Sequence, residues 1–140
     1  MILDLSSLIK AVKSLDKILN IALSNKMDKL DQDLKDAVRA GVIQNFEFTY
    51  ELCWKFMQRW LKENQNKEEA NFPRTRKDLF RIAAKCGLIK DPESWFVYGD
   101  ARNLTAHTYS EDTAEIVFEA AVKFIGDAKY LLSKLEQNNV

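Results

Sequence analysis

Arg102, His107 and Tyr109 fall within the run Arg102-Asn103-Leu104-Thr105-Ala106-His107-Thr108-Tyr109, and His107 is the sole histidine of 140 residues. An imidazole has an ordinary pKa of about 6.5, so it can take and give a proton near neutrality. A guanidinium stays cationic and grips a phosphate through two parallel hydrogen bonds. Together they suffice for phosphodiester chemistry without a metal. Spacing alone does not join them. In an ideal helix, residues five apart point about 140° away from each other, whereas Asn103 and His107, four apart, share a face. For Arg102 and His107 to meet on one phosphate, the helix must end between them or two chains must each contribute. The β-branched Thr105 and Thr108, with capping residues just beyond, predict such an end near His107.

The elements that must position this run are helical. Leu5, Leu8, Ile9, Val12, Leu15, Ile18, Leu19, Ala22 and Leu23 recur at three- and four-residue steps, which predicts a first helix from about Leu5 to Asn25 with Asp4 or Ser6 at its cap. A second helix is expected from about Asp31 to Asn64, amphipathic at first through Leu34, Ala37 and Val38. From Val42 to Leu61 it is apolar nearly all round, so it is expected to be contacted on every side, by other helices and by a second subunit. The polar stretch Lys62 to Arg74, with Pro73, reads as the one substantial loop. Thr75 with Asp78 predicts the start of a third helix that Gly87 ends. Its inner face is Leu79, Ile82, Ala83 and Cys86, and its outer face carries Lys77, Arg81 and Lys85. Asp91-Pro92 predicts the opening of a fourth helix, which holds Trp95, Phe96 and Tyr98 and runs into the motif. Thr108 with Glu111, or Ser110, opens a last helix with Val117, Ala121, Phe124, Ala128, Leu131 and Leu135 on its stripe.

Composition agrees. Four glycines and two prolines leave room for few loops, and 46% hydrophobic with 30% charged residues describes a soluble globular chain, read as one all-α domain over residues 1–140. The expected architecture is a compact up-and-down bundle of about five helices. The 21 basic and 21 acidic residues cancel, so any contact with nucleic acid must be local. The N-terminus lacks the basic and apolar regions of a secretory signal, and no apolar run reaches the ~20 residues of a membrane span, so a cytoplasmic protein is expected. Cys53 and Cys86 sit singly in apolar helical patterns and read as reduced, buried thiols. One histidine and two distant cysteines do not make a zinc site, and four isolated glycines do not make a phosphate loop; no metal or cofactor is expected.

Plainer readings stand beside the chemical one. A lone histidine is commonly structural or merely exposed, Arg102 has Asp100 nearby for a surface ion pair of little weight, and Tyr109 also fits an aromatic packed near a turn. Between Arg74 and Lys90, six basic residues face Asp78 alone, which suits an RNA-facing ridge or an ordinary solvated face. Glu47 and Glu51 share one face of the aromatic helix, where they reach the motif or pair with Lys55.

The order Arg102-Asn103, three residues, His107-Thr108-Tyr109 resembles the motif of the HEPN family (higher eukaryotes and prokaryotes nucleotide-binding). The stretch Gln44-Asn45-Phe46-Glu47-Phe48-Thr49-Tyr50-Glu51-Leu52, and Trp95 followed by Asp100-Ala101-Arg102-Asn103, resemble one branch of it, the nucleotidyltransferase substrate-binding proteins, over nearly the whole chain. The resemblance implies a homodimer with two motifs near a shared cleft. It also implies a minimal nucleotidyltransferase as partner, in a toxin–antitoxin pair or a two-component enzyme. This chain is not itself the transferase, since Asp31 and Asp33 lack the preceding Gly-Ser loop. For active members the resemblance implies metal-independent RNA cleavage. His107 would be the proton-transfer group and Arg102 the stabiliser of phosphate charge. Asn103, Asp100 and Tyr109 would bind RNA or nucleotide, and Tyr109 matches a position that the partner adenylates to silence the toxin. The other reading it leaves is a non-catalytic subunit that binds nucleotide or substrate for the transferase.

Overall fold

The 3.6-residue stripes become five helices among the described residues: α1 (Ser6–Ala22), α2 (Gln32–Asn64), α3 (Arg76–Lys85), α4 (Pro92–Leu104) and α5 (Glu111–Gln137). Short 3-10 turns occupy Asn25–Lys29 and Thr105–His107. The computed structural model describes residues 2–64, 73–107 and 110–139. The architecture is the expected all-α up-and-down bundle, and among the described residues no helix is long and apolar enough to cross a membrane.

The helix boundaries follow from local chemistry. Thr75 Oγ1 accepts from the Asp78 backbone N–H at 3.1 Å and starts α3; Gly87, at φ +81°, follows its end in a conformation that costs a glycine little. Asp91 accepts from the Glu93 N–H at 3.0 Å, with Pro92 in the first turn of α4. The cap position of α1 is Leu5 rather than Asp4 or Ser6, with no side-chain capping bond; Asp4 just before it accepts from the backbone N–H of Ser6 at 3.0 Å and from its hydroxyl at 2.6 Å, bonds that hold its carboxyl below the ordinary value. Of the two candidate caps for α5, Ser110 makes no side-chain capping bond and Thr108 lies outside the described residues.

Helix α2 is central, since it packs on each of the other four. Its Val42, Phe46, Tyr50, Cys53, Met57 and Leu61 are buried against Leu8 and Leu15 of α1, Phe80 of α3, Trp95 of α4 and Phe124 of α5. A Cβ at Gly41 would meet Ile18 Cδ1, the tip of a side chain of α1, so the two helices run close together at this point. Thr49, buried between them, donates to the Ala11 carbonyl at 3.3 Å. Burial pushes the Cys53 thiol well up, which keeps it protonated, and among the described residues neither cysteine is in a disulfide. The ends of the chain meet: Asn139 Oδ1 accepts from the Leu3 N–H at 2.8 Å, and its Nδ2 donates to the Leu3 carbonyl at 3.0 Å.

The all-round apolar face of α2 is not fully covered. Phe48 is 59% exposed, and beside it Leu52 is only partly buried. Leu34 and Ala37 at the start of α2 are also exposed rather than on a packed face, because α1 ends at Ala22 and supplies no neighbour there.

Candidate functional site

Helix α4 ends as an α-helix at Leu104 and passes into the 3-10 turn Thr105–His107, so the expected helix end does fall between Arg102 and His107. The turn is locked by Thr105. Its hydroxyl donates to the Arg102 carbonyl at 2.7 Å and accepts from Arg102 Nη1 at 3.0 Å. A β-branched residue that bonds back to the preceding turn competes with further helix, which is why the chain tightens here. The turn packs on α2, α4 and α5.

Arg102 is directed at α2. Its Nε donates to Glu51 Oε1 at 2.9 Å, and Nη2 lies 3.5 Å from Glu47 Oε1. Glu51 is fixed in turn, since its Oε2 accepts from Trp54 Nε1 at 2.8 Å. Among the described residues, Asp100 is not one of the carboxylates paired with Arg102; Glu47 and Glu51, some fifty positions earlier, take that place. The Arg102 side chain is about one-quarter exposed, and its Nε, Nη1 and Nη2 are engaged by Glu51, Thr105 and Glu47 in turn, which fixes its orientation.

The remaining candidates separate. His107 is exposed on the turn. Asp100 and Asn103 are exposed on α4 and line a cleft of about 250 Å³ between α4 and α3, with Arg76 and Lys77 opposite. Rotation of about 100° per residue along α4 explains why they face α3 while Arg102 faces α2. Tyr109, expected to bind ligand and to be modified, lies outside the described residues. On the α2 side of Arg102, a wider cleft of about 740 Å³ is lined by Asp36, Arg39, Glu47, Thr105 and Glu111 among others. Its carboxylates outnumber its one arginine. A second groove of about 550 Å³ runs along α2 past Glu47, Phe48, Glu51 and Leu52.

Two features were not read from sequence. Thr105 does more than end the helix, and its position three after Arg102 is the sequence signal for its bonds back to that residue. Arg76 sits with its guanidinium 4.4 Å from the Trp54 ring centre and 5.8 Å from that of Tyr50, and only its membership of a basic run marked it. The ridge residues Lys77, Arg81 and Lys85 are exposed as expected. Among the described residues, no three of His, Cys, Asp and Glu gather closely enough to hold a metal ion.

Three comparisons bear on this geometry. Residues 3–137 match the family described as nucleotidyltransferase substrate binding protein like. A Haemophilus influenzae protein named "Probable ribonuclease HepT" is 36% identical over 138 residues, which cover 98% of this chain and 94% of that protein. A solved structure from Haemophilus influenzae, described as the fold of a substrate binding domain of a nucleotidyltransferase, superposes with a TM-score of 0.88 at 35% identity, over 96% of this chain and all of that one. A protein from Thermus thermophilus superposes at 0.68 with 28% identity, over 89% of this chain and 98% of its own.

Proposed function

The chain belongs to the nucleotidyltransferase substrate binding protein-like family, and from that premise we propose that it is a toxin-type, metal-independent endoribonuclease paired with a minimal nucleotidyltransferase. The observation that carries this reading is the way Glu51, Glu47 and Thr105 hold Arg102 at the end of α4, one short turn before an exposed His107. A similar chain named as a ribonuclease supports it.

The chemistry assigns each atom a place. His107 removes the proton of a ribose 2′-hydroxyl, O2′ bonds to phosphorus, and the P–O5′ bond breaks as the 5′ oxygen takes a proton. The products are a 2′,3′-cyclic phosphate and a 5′-hydroxyl. Arg102 stabilises the charge that builds on the phosphoryl oxygens. Asn103, next to Arg102, and Asp100 bind the substrate. The uncovered Phe48, in the groove that also holds Glu47 and Glu51, supports a homodimer formed over this face of α2, with both motifs near the joint. The reading places the protein in the cytoplasm as a single domain, where its partner silences it by adenylating Tyr109.

Incubation of the purified chain with a defined single-stranded RNA tests this directly. Fragments ending in cyclic phosphate are expected, together with growth arrest when the chain is expressed without its partner. Intact RNA and unhindered growth would overturn the nuclease reading. Mass spectrometry after incubation with the partner and ATP is expected to find an adenylate on the peptide that contains Tyr109, and a Tyr109→Phe chain should stay unmodified and uncontrolled. An unmodified wild-type tyrosine would remove the silencing step.

One observation favours a second reading. Two carboxylates already occupy part of the Arg102 guanidinium, which suits a fixed binding element as well as a phosphate clamp. The chain would then be a non-catalytic subunit that binds nucleotide or substrate for the transferase.

A further inference from the structure

Arg102 has more partners than a phosphate clamp needs. Glu51 accepts from its Nε at 2.9 Å, Thr105 accepts from its Nη1 at 3.0 Å, and Glu47 Oε1 lies 3.5 Å from its Nη2. One cation against two carboxylates leaves negative charge in excess, and Asp36 and Glu111 line the same wide cleft as Glu47. A phosphodiester is itself anionic, so this group repels it until one carboxylate withdraws.

The two carboxylates are not held alike. Glu51 is tied at both oxygens, Oε1 to Arg102 and Oε2 to Trp54 Nε1 at 2.8 Å, and its side chain is 26% exposed. Glu47 is 42% exposed, and its separation from Nη2 exceeds the ~2.7–2.9 Å of a charge-assisted hydrogen bond. Among the described residues this is its one ion pair, and a pair so exposed is weak. Glu47 stands one turn before Glu51 and lines both grooves of α2, so its carboxylate can swing aside while the helix stays still.

We propose that Glu51 is the positioning residue for Arg102, while Glu47 is a displaceable latch that occupies the phosphate's place on Nη2 until RNA arrives. The exchange makes and breaks no covalent bond; one anion replaces another on the same guanidinium. Every phosphate that reaches Arg102 must outcompete Glu47, so the latch lowers affinity and its removal restores it. The proposal rests on Arg102 as the phosphate-holding group of the reading above, and not on proton transfer by His107.

The test uses the full chain carrying His107→Ala, which keeps RNA whole, titrated calorimetrically with a defined single-stranded RNA at one salt concentration. Glu47→Gln keeps the shape and removes the charge, and is expected to tighten binding about three- to tenfold. Asp36→Asn removes a charge from the same cleft away from Arg102, and should change affinity less than about twofold. Glu51→Gln should weaken binding at least about fivefold, because one amide oxygen cannot accept from both Arg102 Nε and Trp54 Nε1. Should that chain fail to fold, Trp54→Phe, which releases only Glu51 Oε2, repeats the test with a smaller loss. The Glu47 and Glu51 effects should both vanish when Arg102 is already alanine, since no guanidinium is left to free or to aim. The latch is overturned if Glu47→Gln leaves binding unchanged or weaker, if Asp36→Asn tightens it equally, or if the gain persists without Arg102. RNA that no variant binds would overturn it as well, and a folded Glu51→Gln chain with undiminished affinity would remove the positioning role. Failure of the nuclease reading looks different: the Glu47→Gln gain is present, yet the chain with His107 intact binds the RNA and never cuts it.

Discussion

Replacement of His107 by alanine is expected to lower the rate of RNA cleavage by about 10²–10⁴-fold, the usual contribution of a positioned proton-transfer group, while thermal melting hardly moves. The second half of that expectation follows from exposure: His107 lies on the surface of a turn, and exposed substitutions commonly shift stability by no more than about 0.5 kcal/mol. Arg102→Ala makes an instructive comparison. It removes phosphate stabilisation, and it also leaves Glu51 and Glu47 facing each other without their shared cation. Stability should therefore fall with activity, by about 1–2 kcal/mol for a partly buried network. Cleavage of a defined RNA, measured beside melting curves for both variants, separates the two roles. A His107→Ala chain that cuts within tenfold of wild type would take proton transfer away from this residue.

What the sequence disclosed of this site, and what it withheld, divides along the range of the interactions. The helices were legible because their stripes and caps are local. Thr75, Gly87 and the Asp91-Pro92 pair act within a few residues of themselves, and the structure uses each as expected. Glu47 and Glu51 were legible as one face of α2, since a spacing of four decides that much. Whether that face reaches the motif or pairs with Lys55 stays open in the sequence, because it depends on how α2 and α4 pack; the structure takes the first course, with both carboxylates on Arg102. The parting of Asp100 and Asn103 from Arg102 is local by contrast: adjacency along a helix means divergence around it. Phe48 shows the converse. Its pattern predicted contact on every side, but one chain alone does not provide the contact, so the unfilled prediction itself supports a second subunit.

Trp95→Ala is expected to cost about 3–5 kcal/mol of stability, the range for removing a large buried aromatic side chain. Trp95 is 1% exposed and stands among Tyr50, Phe80, Tyr98 and Phe124, with ring centres 5.5–6.4 Å away. Apart from Tyr98 on α4 itself, those rings belong to α2, α3 and α5, so three other helices close on this one side chain. For a chain of this size the melting temperature should fall by roughly 10–20 °C, and denaturant unfolding would measure the free energy directly. A loss below about 1 kcal/mol would show that the neighbouring rings collapse into the space. The effect should extend beyond stability. Trp95 lies seven residues before Arg102, two turns along the same side of α4. Its ring anchors α4 against α2, and the contact of Arg102 with Glu51 spans that same pair of helices. Even well below its melting temperature, then, a folded Trp95→Ala chain should cut RNA more slowly than wild type, because the helix that aims the guanidinium has lost its anchor.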